Sequence, residues 1–478
     1  MLGGRQDPYT NLNFCNVSIS YTHPGWNDVV TIVTYLPFKD HWNGKFMATG
    51  GGGYVTGGES IAQFSMIPGL VSGYAVSTTD GGHQLTIAEG NTYSSHWALS
   101  SIGNVNWPLL VDFAHVALHD MATVGKAAAR SFYGSPARYS YFFGGSTGGR
   151  QGHMLAQRYP KDFDGIIALF PAMNWARFLF ANIYPTFVMD SLKAYPKPCE
   201  IQSIQKAALA ACDELDGLVD GMISKPGLCH FDPHTLVGET FECNDAKAVY
   251  SFGAAEVAAA AWNGPRSAKG DFQWYGFAMD ANISQPIIDA AVTECDDNGK
   301  CAPVPFAISD VWVRYWLAKD PSFDMRSISH EEWDELIHAS ISEYESVIGT
   351  SDPDLSQFKK ASGKMLNWHG MADQAIPFNG SVDYYEKVMK LDAKVHDFYR
   401  LFLATGASHC MDCGIVPPVP DLIRTMERWV EHGKAPKILR GVGPNNDGIK
   451  VERDICMYPR VQHYVGGDPT KPDAFVCV

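Results

Sequence analysis

The chain has 478 residues, of which 46 % are hydrophobic and 19 % are charged, and its formal net charge is −15. This length predicts a hydrophobic core with a second domain, and the composition is typical of globular, soluble proteins. An acidic chain without a basic block argues against a nucleic-acid partner, and no apolar run is long enough to cross a bilayer.

The first third of the chain alternates predicted strands and helices with glycine-rich turns, which is typical of an α/β sheet. Apolar residues at helical spacing indicate a helix over residues 112–132, and Pro160 ends a second helix predicted over 147–159. The predicted strands of this part are residues 29–36, 46–49, 74–78, 139–143 and 165–169.

Between residues 176 and 352 the character of the sequence changes. Strands are hard to find, six of the eleven cysteines lie here, and helical segments alternate with loops. Predicted strands return at 364–368 and 398–402, followed by a helix at 422–433. We therefore predict a core made of residues 1–175 and 353–478, split by an inserted lid domain of residues 176–352, where substrate specificity usually lies.

Residues 144–148 read Gly-Gly-Ser-Thr-Gly and match the pattern G-x-S-x-G. Five residues alone are a weak signal in a chain with 45 glycines. The context strengthens the match, because a predicted strand precedes it and a predicted helix follows it, as a nucleophile elbow requires. The flanking glycines would leave room for the strained turn. Ser146 is therefore the predicted nucleophile of an α/β-hydrolase core.

A serine nucleophile needs a base that accepts its proton and an acid that orients the base. In this fold the acid and then the histidine follow the serine along the chain. Asp373 lies in the loop after one late predicted strand, and His409 lies in the loop after the next. We predict Asp373 as the acid and His409 as the base.

Other acids and histidines fit these two roles less well. His115 and His119 lie four residues apart on a predicted helix, but the carboxylate of the metalloprotease motif is missing, so we expect them to be structural. The remaining competitors are Asp383, Asp412, His153 and His369.

The oxyanion of an acyl-transfer reaction needs two backbone N–H donors. The residue after the nucleophile, Thr147, is the expected source of one of them. The four glycines at 50–53 are the expected source of the other, from Gly51 or Gly52. The alternative for this glycine run is a flexible surface turn.

An acidic, glycine-punctuated loop at residues 212–222 is a candidate metal site. Hard oxygen ligands at alternating positions suit Ca²⁺, although the spacing is not that of an EF-hand. Acidic loops are often only solvated, so that alternative stays open. The candidate ligands are the carboxylates of Asp213, Asp216 and Asp220 and the carbonyls of Leu218 and Met222.

Eleven cysteines suit an oxidising compartment, and one of them must lack an intramolecular partner. The alternative is a set of reduced, buried thiols. The first eight residues have no apolar core and are no signal peptide, so the chain is either intracellular or lacks its natural start. The cysteines that fall in close pairs are Cys212/Cys229, Cys295/Cys301, Cys410/Cys413 and Cys456/Cys477.

From about residue 14 to its end, the chain resembles the tannase and feruloyl esterase family. The resemblance implies an α/β-hydrolase core with a lid that binds aromatic acyl groups, Ca²⁺ held by the lid aspartates, a disulfide between Cys212 and Cys229, and secretion. The stretches that carry it are residues 42–46, 50–53, 77–83, 145–152, 159–166 and 212–221, together with His369-Gly370, Asp373 and His409-Cys410.

One departure from the family pattern concerns the loops around the triad. The family usually has a cysteine just before the nucleophile, bonded to the cysteine after the catalytic histidine. Here Gly145 takes the first position while Cys410 remains, so this bridge cannot form. Cys410 is then free or pairs with Cys413 or another cysteine.

The expected activity is hydrolysis of a small-molecule aromatic ester through an acyl-enzyme, with an acid of the hydroxycinnamate or gallate type and no organic cofactor. An acyltransferase or a narrow esterase of secondary metabolism is the alternative. A binding protein on a hydrolase fold is less favoured, since binding gives no reason to retain all three triad residues. The sequence leaves the oligomeric state open.

Overall fold

The computed structural model describes residues 12–58, 61, 65–84, 97–285, 288–445 and 448–478. Its centre is an eight-stranded sheet with the order β1-β2-β4-β3-β5-β6-β7-β8. The pairings β1–β2 and β2–β4 are antiparallel and the other five are parallel. The strands are β1 Phe14–Tyr21, β2 Val30–Pro37, β3 Phe46–Thr49, β4 Ala75–Thr79, β5 Ser140–Gly145, β6 Gly165–Leu169, β7 Lys364–Gly370 and β8 Tyr399–Ala404.

Helices cover both faces of the sheet, which confirms the predicted α/β-hydrolase fold. Apolar residues of α3, α4 and α11 pack on one face, and those of α1 and α12 pack on the other. The helices in the described ranges are α1 Ile67–Val71, α2 Trp107–Ala114, α3 Val116–Tyr133, α4 Thr147–Arg158, α5 Trp175–Leu192, α6 Pro198–Cys212, α7 Phe252–Asn263, α8 Ala307–Val311, α9 His330–Tyr344, α10 Ser356–Lys360, α11 Asn379–Leu391 and α12 Val419–His432. None of them is both long and apolar enough to span a bilayer.

The segment between β6 and β7 contributes no strand to the central sheet. Its described residues contain α5 to α10 and two small hairpins, and its aromatic side chains pack around Tyr54 of the glycine-rich loop. Tyr54 stacks on Trp316 at 4.9 Å between ring centroids and donates a hydrogen bond to the carbonyl of Ile308. The lid segment therefore holds the loop that follows β3. The domain division at residues 175 and 352 stays a prediction.

The helix predicted over residues 112–132 is wrong in one respect, because the structure has two helices, α2 and α3. The chain leaves helical geometry at His115, whose φ is −162°. Arg150 of α4 donates hydrogen bonds to the carbonyls of Phe113 and Ala114, at 3.1 and 3.0 Å. A buried guanidinium thus satisfies the last carbonyls of α2, which replaces the bonds that a continuous helix would form.

Sequence reasoning missed β1, the short hairpins and five helices, which are α1, α5, α8, α10 and α11. Strand β1 alternates half-buried and exposed residues along an edge of the sheet, so its apolar signal is weak. The remaining antiparallel hairpins pair Leu99–Ser101 with Asn104–Val105, Thr240–Cys243 with Ala246–Val249, Val292–Cys295 with Cys301–Val304, Ile438–Pro444 with Lys450–Cys456, and Gln462–Tyr464 with Phe475–Cys477.

Five disulfides are present, and Cys15 is the free cysteine. Each of the four close pairs forms a bridge. The Cys212–Cys229 bridge that the resemblance implies is confirmed, and Cys410 pairs with Cys413, which is one of the alternatives that the sequence left open. The fifth bridge joins Cys199 to Cys243 across 44 residues, too far apart in sequence to be recognised as a pair. The bridges are Cys199–Cys243, Cys212–Cys229, Cys295–Cys301, Cys410–Cys413 and Cys456–Cys477.

Candidate active site

Ser146 stands at a sharp turn between β5 and α4. Its φ of 59° and ψ of −123° form a strained conformation that residues other than glycine rarely adopt. The turn brings the backbone around it close together: a Cβ at Gly144 would lie 2.7 Å from the carbonyl carbon of Gly148. The glycines of the motif are therefore required by backbone contact, and the serine is presented at the carboxyl end of the sheet.

The structure brings the three predicted triad residues together. His409 Nε2 lies 3.1 Å from Ser146 Oγ, and His409 Nδ1 lies 2.8 Å from Asp373 Oδ2. The loop that carries His409 is fixed by a hydrogen bond from its backbone N–H to Gln374 Oε1, at 3.0 Å. The arrangement lets His409 accept the serine proton while Asp373 orients the ring.

Asp373 is fully buried and all its hydrogen bonds come from the protein. Oδ1 accepts the backbone N–H groups of Ala375 and Ile376, each at 2.8 Å. Burial alone would raise the pKa of this carboxyl, but the charge of His409 and hydrogen bonds from His369 and His409 hold it well below its usual range. The group is therefore a carboxylate whose orientation is fixed.

His369, which the sequence placed only among the competitors, is a neighbour of the acid. Its Nε2 lies 3.1 Å from Asp373 Oδ2 and 3.2 Å from the carbonyl oxygen of Ile376, so this nitrogen carries the proton. Its Nδ1 lies 2.8 Å from Ser381 Oγ, which then donates to it. The sequence signal for this role was that His369 lies at the end of a predicted strand, four residues before Asp373. His369 is a positioning residue for the acid.

The other competitors serve structural contacts. His153 is buried on α4 between the carbonyl of Gly149 and the hydroxyl of Tyr399. His115 contacts Tyr159, His119 contacts Asp162, Asp383 pairs with Lys387, and Asp412 lies beside Cys410. The expected structural role of His115 and His119 thus agrees with their contacts.

The glycine-rich loop lies against the nucleophile turn, but both predicted N–H donors of this loop are engaged. Gly51 N donates to Gln151 Oε1 and Gly52 N donates to the carbonyl of Val55, each at 3.1 Å. Thr147 Oγ1 donates to the carbonyl of Gly53 at 2.6 Å, which fixes Gly53 beside the nucleophile turn. Within the described ranges, the N–H groups of Thr147 and Gly53 make no hydrogen bond to the protein. Gly53 is therefore a better candidate than Gly51 or Gly52 for the second donor.

We expect alanine to be tolerated at Gly52 and not at Gly51. A Cβ at Gly51 would lie 1.9 Å from the carbonyl oxygen of Val55, whereas a Cβ at Gly52 meets nothing within 4 Å. Gly51→Ala should lower the free energy of unfolding by about 1–3 kcal/mol or more and displace the loop, while Gly52→Ala stays near wild type. Thermal unfolding and ester turnover are measured for both variants. Equal melting temperatures and equal turnover in Gly51→Ala and Gly52→Ala would contradict the prediction.

Phe170 occupies the space beside Gly145, the residue that precedes the nucleophile. A Cβ at Gly145 would lie 2.7 Å from the ring of Phe170. The ring packs edge-on against His409, with 4.8 Å between centroids, and its backbone φ is 31°. In this chain aromatic packing therefore joins the nucleophile turn to the histidine loop, while Cys410 bonds to Cys413 three residues away.

The lid aspartates form a compact acidic loop. Asp213 accepts the N–H groups of Asp220, Gly221 and Met222, and Asp216 accepts that of Leu218. In this part of the described chain, the three predicted carboxylates do not bring their oxygens within 4.8 Å of one another.

Unsatisfied oxygens nevertheless lie at this loop. Asp220 Oδ1 and Asp280 Oδ1 are buried and form no hydrogen bond with any residue that the structure describes. Burial, with a further contribution from the charges of Asp213 and Asp220, raises the pKa of Asp280 to about 6. Arg453 Nη2 lies 2.5 Å from Asp220 Oδ2 and balances one charge. The donor set fits a hard cation such as Ca²⁺ if Asp213 gives up part of its backbone bonds.

Comparisons with known proteins show the family of the chain. The model of the family described as tannase and feruloyl esterase matches residues 15–478. A probable feruloyl esterase of Arthroderma benhamiae is 39 % identical over 478 residues, which cover 98 % of this chain and 86 % of the relative. A tannase of Aspergillus oryzae is 27 % identical, covering 94 % of this chain and 83 % of the relative.

Two solved structures have the same fold over nearly the whole chain. The tannin acyl hydrolase of Aspergillus niger aligns with a TM-score of 0.86 and 26 % identity, over 98 % of this chain and 87 % of that chain. Feruloyl esterase B of Aspergillus oryzae aligns with a TM-score of 0.81 and 25 % identity, over 97 % and 90 %. The chain therefore belongs to the tannase and feruloyl esterase family and is a carboxylic ester hydrolase.

Proposed function

We propose that this enzyme cleaves esters of phenolic acids through an acyl-enzyme on Ser146. The observation that carries the proposal is the continuous chain of contacts from Ser146 Oγ through His409 to Asp373, at 3.1 and 2.8 Å. A hydroxyl becomes a nucleophile only when a positioned base removes its proton, and these distances are within hydrogen-bond reach.

In the acylation step, Ser146 Oγ attacks the ester carbonyl carbon while its proton passes to His409 Nε2. The Asp373 carboxylate stabilises the imidazolium, and the N–H groups of Thr147 and Gly53 donate to the oxyanion. His409 then gives the proton to the departing alkoxide, which leaves as the alcohol. Water, deprotonated by His409, then attacks the acyl carbon. The bond from this carbon to Ser146 Oγ breaks, His409 returns the proton to Oγ, and the acid is released.

The choice of acid rests on the relatives. Proteins similar to this chain over most of its length are named feruloyl esterase and tannase, whose names indicate hydroxycinnamate and gallate esters. We propose an aromatic acid of one of these two types as the acyl group.

Hydrolysis of methyl ferulate, methyl gallate and a short-chain aryl acetate tests this function, with the Ser146→Ala variant as background. We expect turnover of one aromatic methyl ester that disappears in the variant. Turnover of the aryl acetate alone would reject the aromatic acyl group and leave a general esterase. Adding a primary alcohol to the assay detects transfer: an ester product formed faster than the free acid would favour the acyltransferase alternative.

We further propose that the lid loop binds Ca²⁺ through Asp213, Asp216 and Asp220 and the carbonyls of Leu218 and Met222. The bound ion would fix this loop against the histidine loop. The contact between them is close, since a Cβ at Gly406 would lie 2.2 Å from Met222 Sδ. Gly406 lies three residues before His409, so displacement of Met222 would disturb the base.

Removal of calcium is expected to lower both the melting temperature and ester turnover. An ion present at a hundred times its Kd stabilises the folded state by about 2.7 kcal/mol, which corresponds to a Tm shift of a few degrees. Melting curves after chelation and after re-addition of Ca²⁺ measure the shift, with Asp216→Asn as the variant that should lose it. Identical Tm values with chelator and with Ca²⁺ would reject the site and leave Arg453 as the partner of Asp220.

Extracellular localisation is also a proposal. It is supported by the five disulfides, because such bonds persist in oxidising compartments.

A further inference from the structure

A second group of ionisable side chains lies where the β1–β2 connection meets α2. His23 and Asp28 belong to the connection and Asp112 belongs to α2, and one ligand atom of each lies within 4.8 Å of the other two. His23 Nδ1 is 2.5 Å from Asp28 Oδ2 and 3.8 Å from Asp112 Oδ1. Both aspartate side chains are fully buried, and that of His23 is 21 % exposed, so the group is reached from solvent past the imidazole.

Asp112 is the unusual member of this group. Its side chain is completely buried, yet no N–H or O–H group of a neutral or basic residue in the described part of the chain donates to either carboxylate oxygen. The group within hydrogen-bond reach of Asp112 is a second carboxyl, that of Asp28. Buried polar atoms are almost always satisfied, and a buried carboxylate beside a second carboxylate is costly unless a cation or a proton lies between them. Among the described residues, the basic side chain that lies nearest to Asp112 is His23, whose Nδ1 is 3.8 Å from Asp112 Oδ1.

The surrounding hydrogen bonds orient the other two side chains. His23 Nε2 lies 2.9 Å from Asp120 Oδ2, which also accepts the hydroxyl of Tyr21 at 2.7 Å. A proton on Nε2 leaves Nδ1 facing the two buried carboxylates. Asp28 Oδ1 accepts hydrogen bonds from Thr22 Oγ1 and the backbone N–H of His23, at 3.0 and 2.8 Å. Asp28 Oδ2 lies 2.5 Å from His23 Nδ1, so a metal ion would replace the proton between these two atoms and move them apart.

Metal-binding histidines typically donate their second ring N–H to a carboxylate, which fixes the tautomer and raises the basicity of the coordinating nitrogen. The hydrogen bonds from Tyr21 to Asp120 and from His23 Nε2 to Asp120 have this form. One imidazole and two carboxylates form a mixed nitrogen and oxygen donor set, which suits Zn²⁺ and similar first-row ions better than Ca²⁺.

We propose that His23 Nδ1, Asp28 Oδ2 and Asp112 Oδ1 bind a divalent first-row metal ion such as Zn²⁺, with water completing its coordination. The ion would join the β1–β2 connection to α2 and neutralise the two buried carboxylates. This site shares no residue with the triad or with the lid aspartates, so its role is structural.

Zinc binding to the full chain tests the site. Protein without a histidine tag is treated with chelator and then titrated with Zn²⁺ by calorimetry in the presence of excess Ca²⁺, and its metal content is measured. We expect a single tight zinc ion per chain. Because loss of even an outer-shell partner costs about 10- to 100-fold in metal affinity, His23→Gln and Asp112→Asn should each weaken binding about 100-fold or more, and Tyr21→Phe about tenfold.

His119→Gln is the matched control, because His119 is a histidine of the neighbouring α3 that pairs with Asp162 instead. It should bind zinc as wild type does. His23 is partly exposed, so its variant gives a result even if Asp112→Asn fails to fold. The proposal is overturned if wild type takes up no zinc, or if zinc affinity is unchanged in folded His23→Gln. If wild type binds no zinc and Asp112→Asn has a raised Tm, a proton shared between Asp28 and Asp112 holds the carboxyl pair instead of a metal ion. This outcome would overturn the proposal. It would agree with the pKa of Asp112, which burial and Asp28 raise to about 8.

Discussion

Replacing Ser146 by alanine is expected to lower kcat for ester hydrolysis about 10⁶-fold while leaving the fold intact. Within the triad, only Ser146 Oγ forms a covalent bond to the acyl group, so no other triad residue can take its place. Alanine keeps the Cβ and removes only Oγ, whose one hydrogen bond in the structure is to His409. Steady-state kinetics on the best aromatic ester, with circular dichroism as the test of folding, measure the effect.

The non-additivity of the triad gives a second readout. Residues that act as a unit lose about the same rate singly and together, so Ser146→Ala combined with His409→Ala should be no slower than Ser146→Ala alone. Ser342→Ala, at an exposed position on α9, is the matched serine control and should keep wild-type activity. A Ser146→Ala variant with more than about a thousandth of wild-type kcat would assign the nucleophile elsewhere.

Replacing Asp373 by asparagine is the second large effect, with an expected fall in kcat of about 10⁴-fold. Asparagine has the same shape, but it removes the charge that stabilises the imidazolium and can present an N–H to His409 Nδ1. His369 and the N–H groups of Ala375 and Ile376 would still fix the side chain, so the loop should keep its position. The deficit should therefore appear in kcat with little change in KM.

The matched control is Asp383→Asn on α11, the competing acid, which pairs with Lys387 and should change kcat less than about tenfold. Equal losses in the two variants, or a small loss at Asp373 alone, would contradict the assignment of the acid.

The pH range in which Asp373 carries its charge follows from its pKa. Burial would raise this pKa, but the charge of His409 and the hydrogen bonds from His369 and His409 hold it below its ordinary value. A carboxyl with a depressed pKa contributes stability above its unfolded pKa and loses that contribution as the pH falls through the folded value. Between about pH 5 and about pH 9 it stays ionised, so protonation of Asp373 itself should not change the rate of the wild-type enzyme there. A carboxyl signal of Asp373 that shifts between about pH 5 and about pH 7, followed by carbon NMR, would contradict this expectation.

Much of the site could be predicted from the sequence because each triad residue has a local signal. Ser146 lies in a strand–turn–helix motif, and Asp373 and His409 follow strands in the order that the fold requires. Parallel strands place their carboxyl ends at one edge of the sheet, so residues at three strand ends can meet without any knowledge of their contacts. The same reasoning gave the sheet and the inserted segment, since strands and helices have distinct apolar periods.

Only the tertiary structure decided the contacts between distant parts of the chain. Arg150 of α4 ends α2, Phe170 packs where a cysteine bridge is absent, and Cys199 bonds to Cys243 across 44 residues. None of these has a local pattern, because each depends on how two elements approach each other.

The hydrogen bonds of the glycine-rich loop belong to the same class. Four consecutive glycines are equivalent in sequence, and only the partners of Gly51 and Gly52 distinguish their N–H groups from that of Gly53. His369 likewise gains its role from the fold of the loop behind it. For this protein, the sequence determined which residues are proposed to carry the chemistry, because catalysis needs particular functional groups at strand ends. The structure decided which residues position them, because positioning depends on packing between elements far apart in the chain.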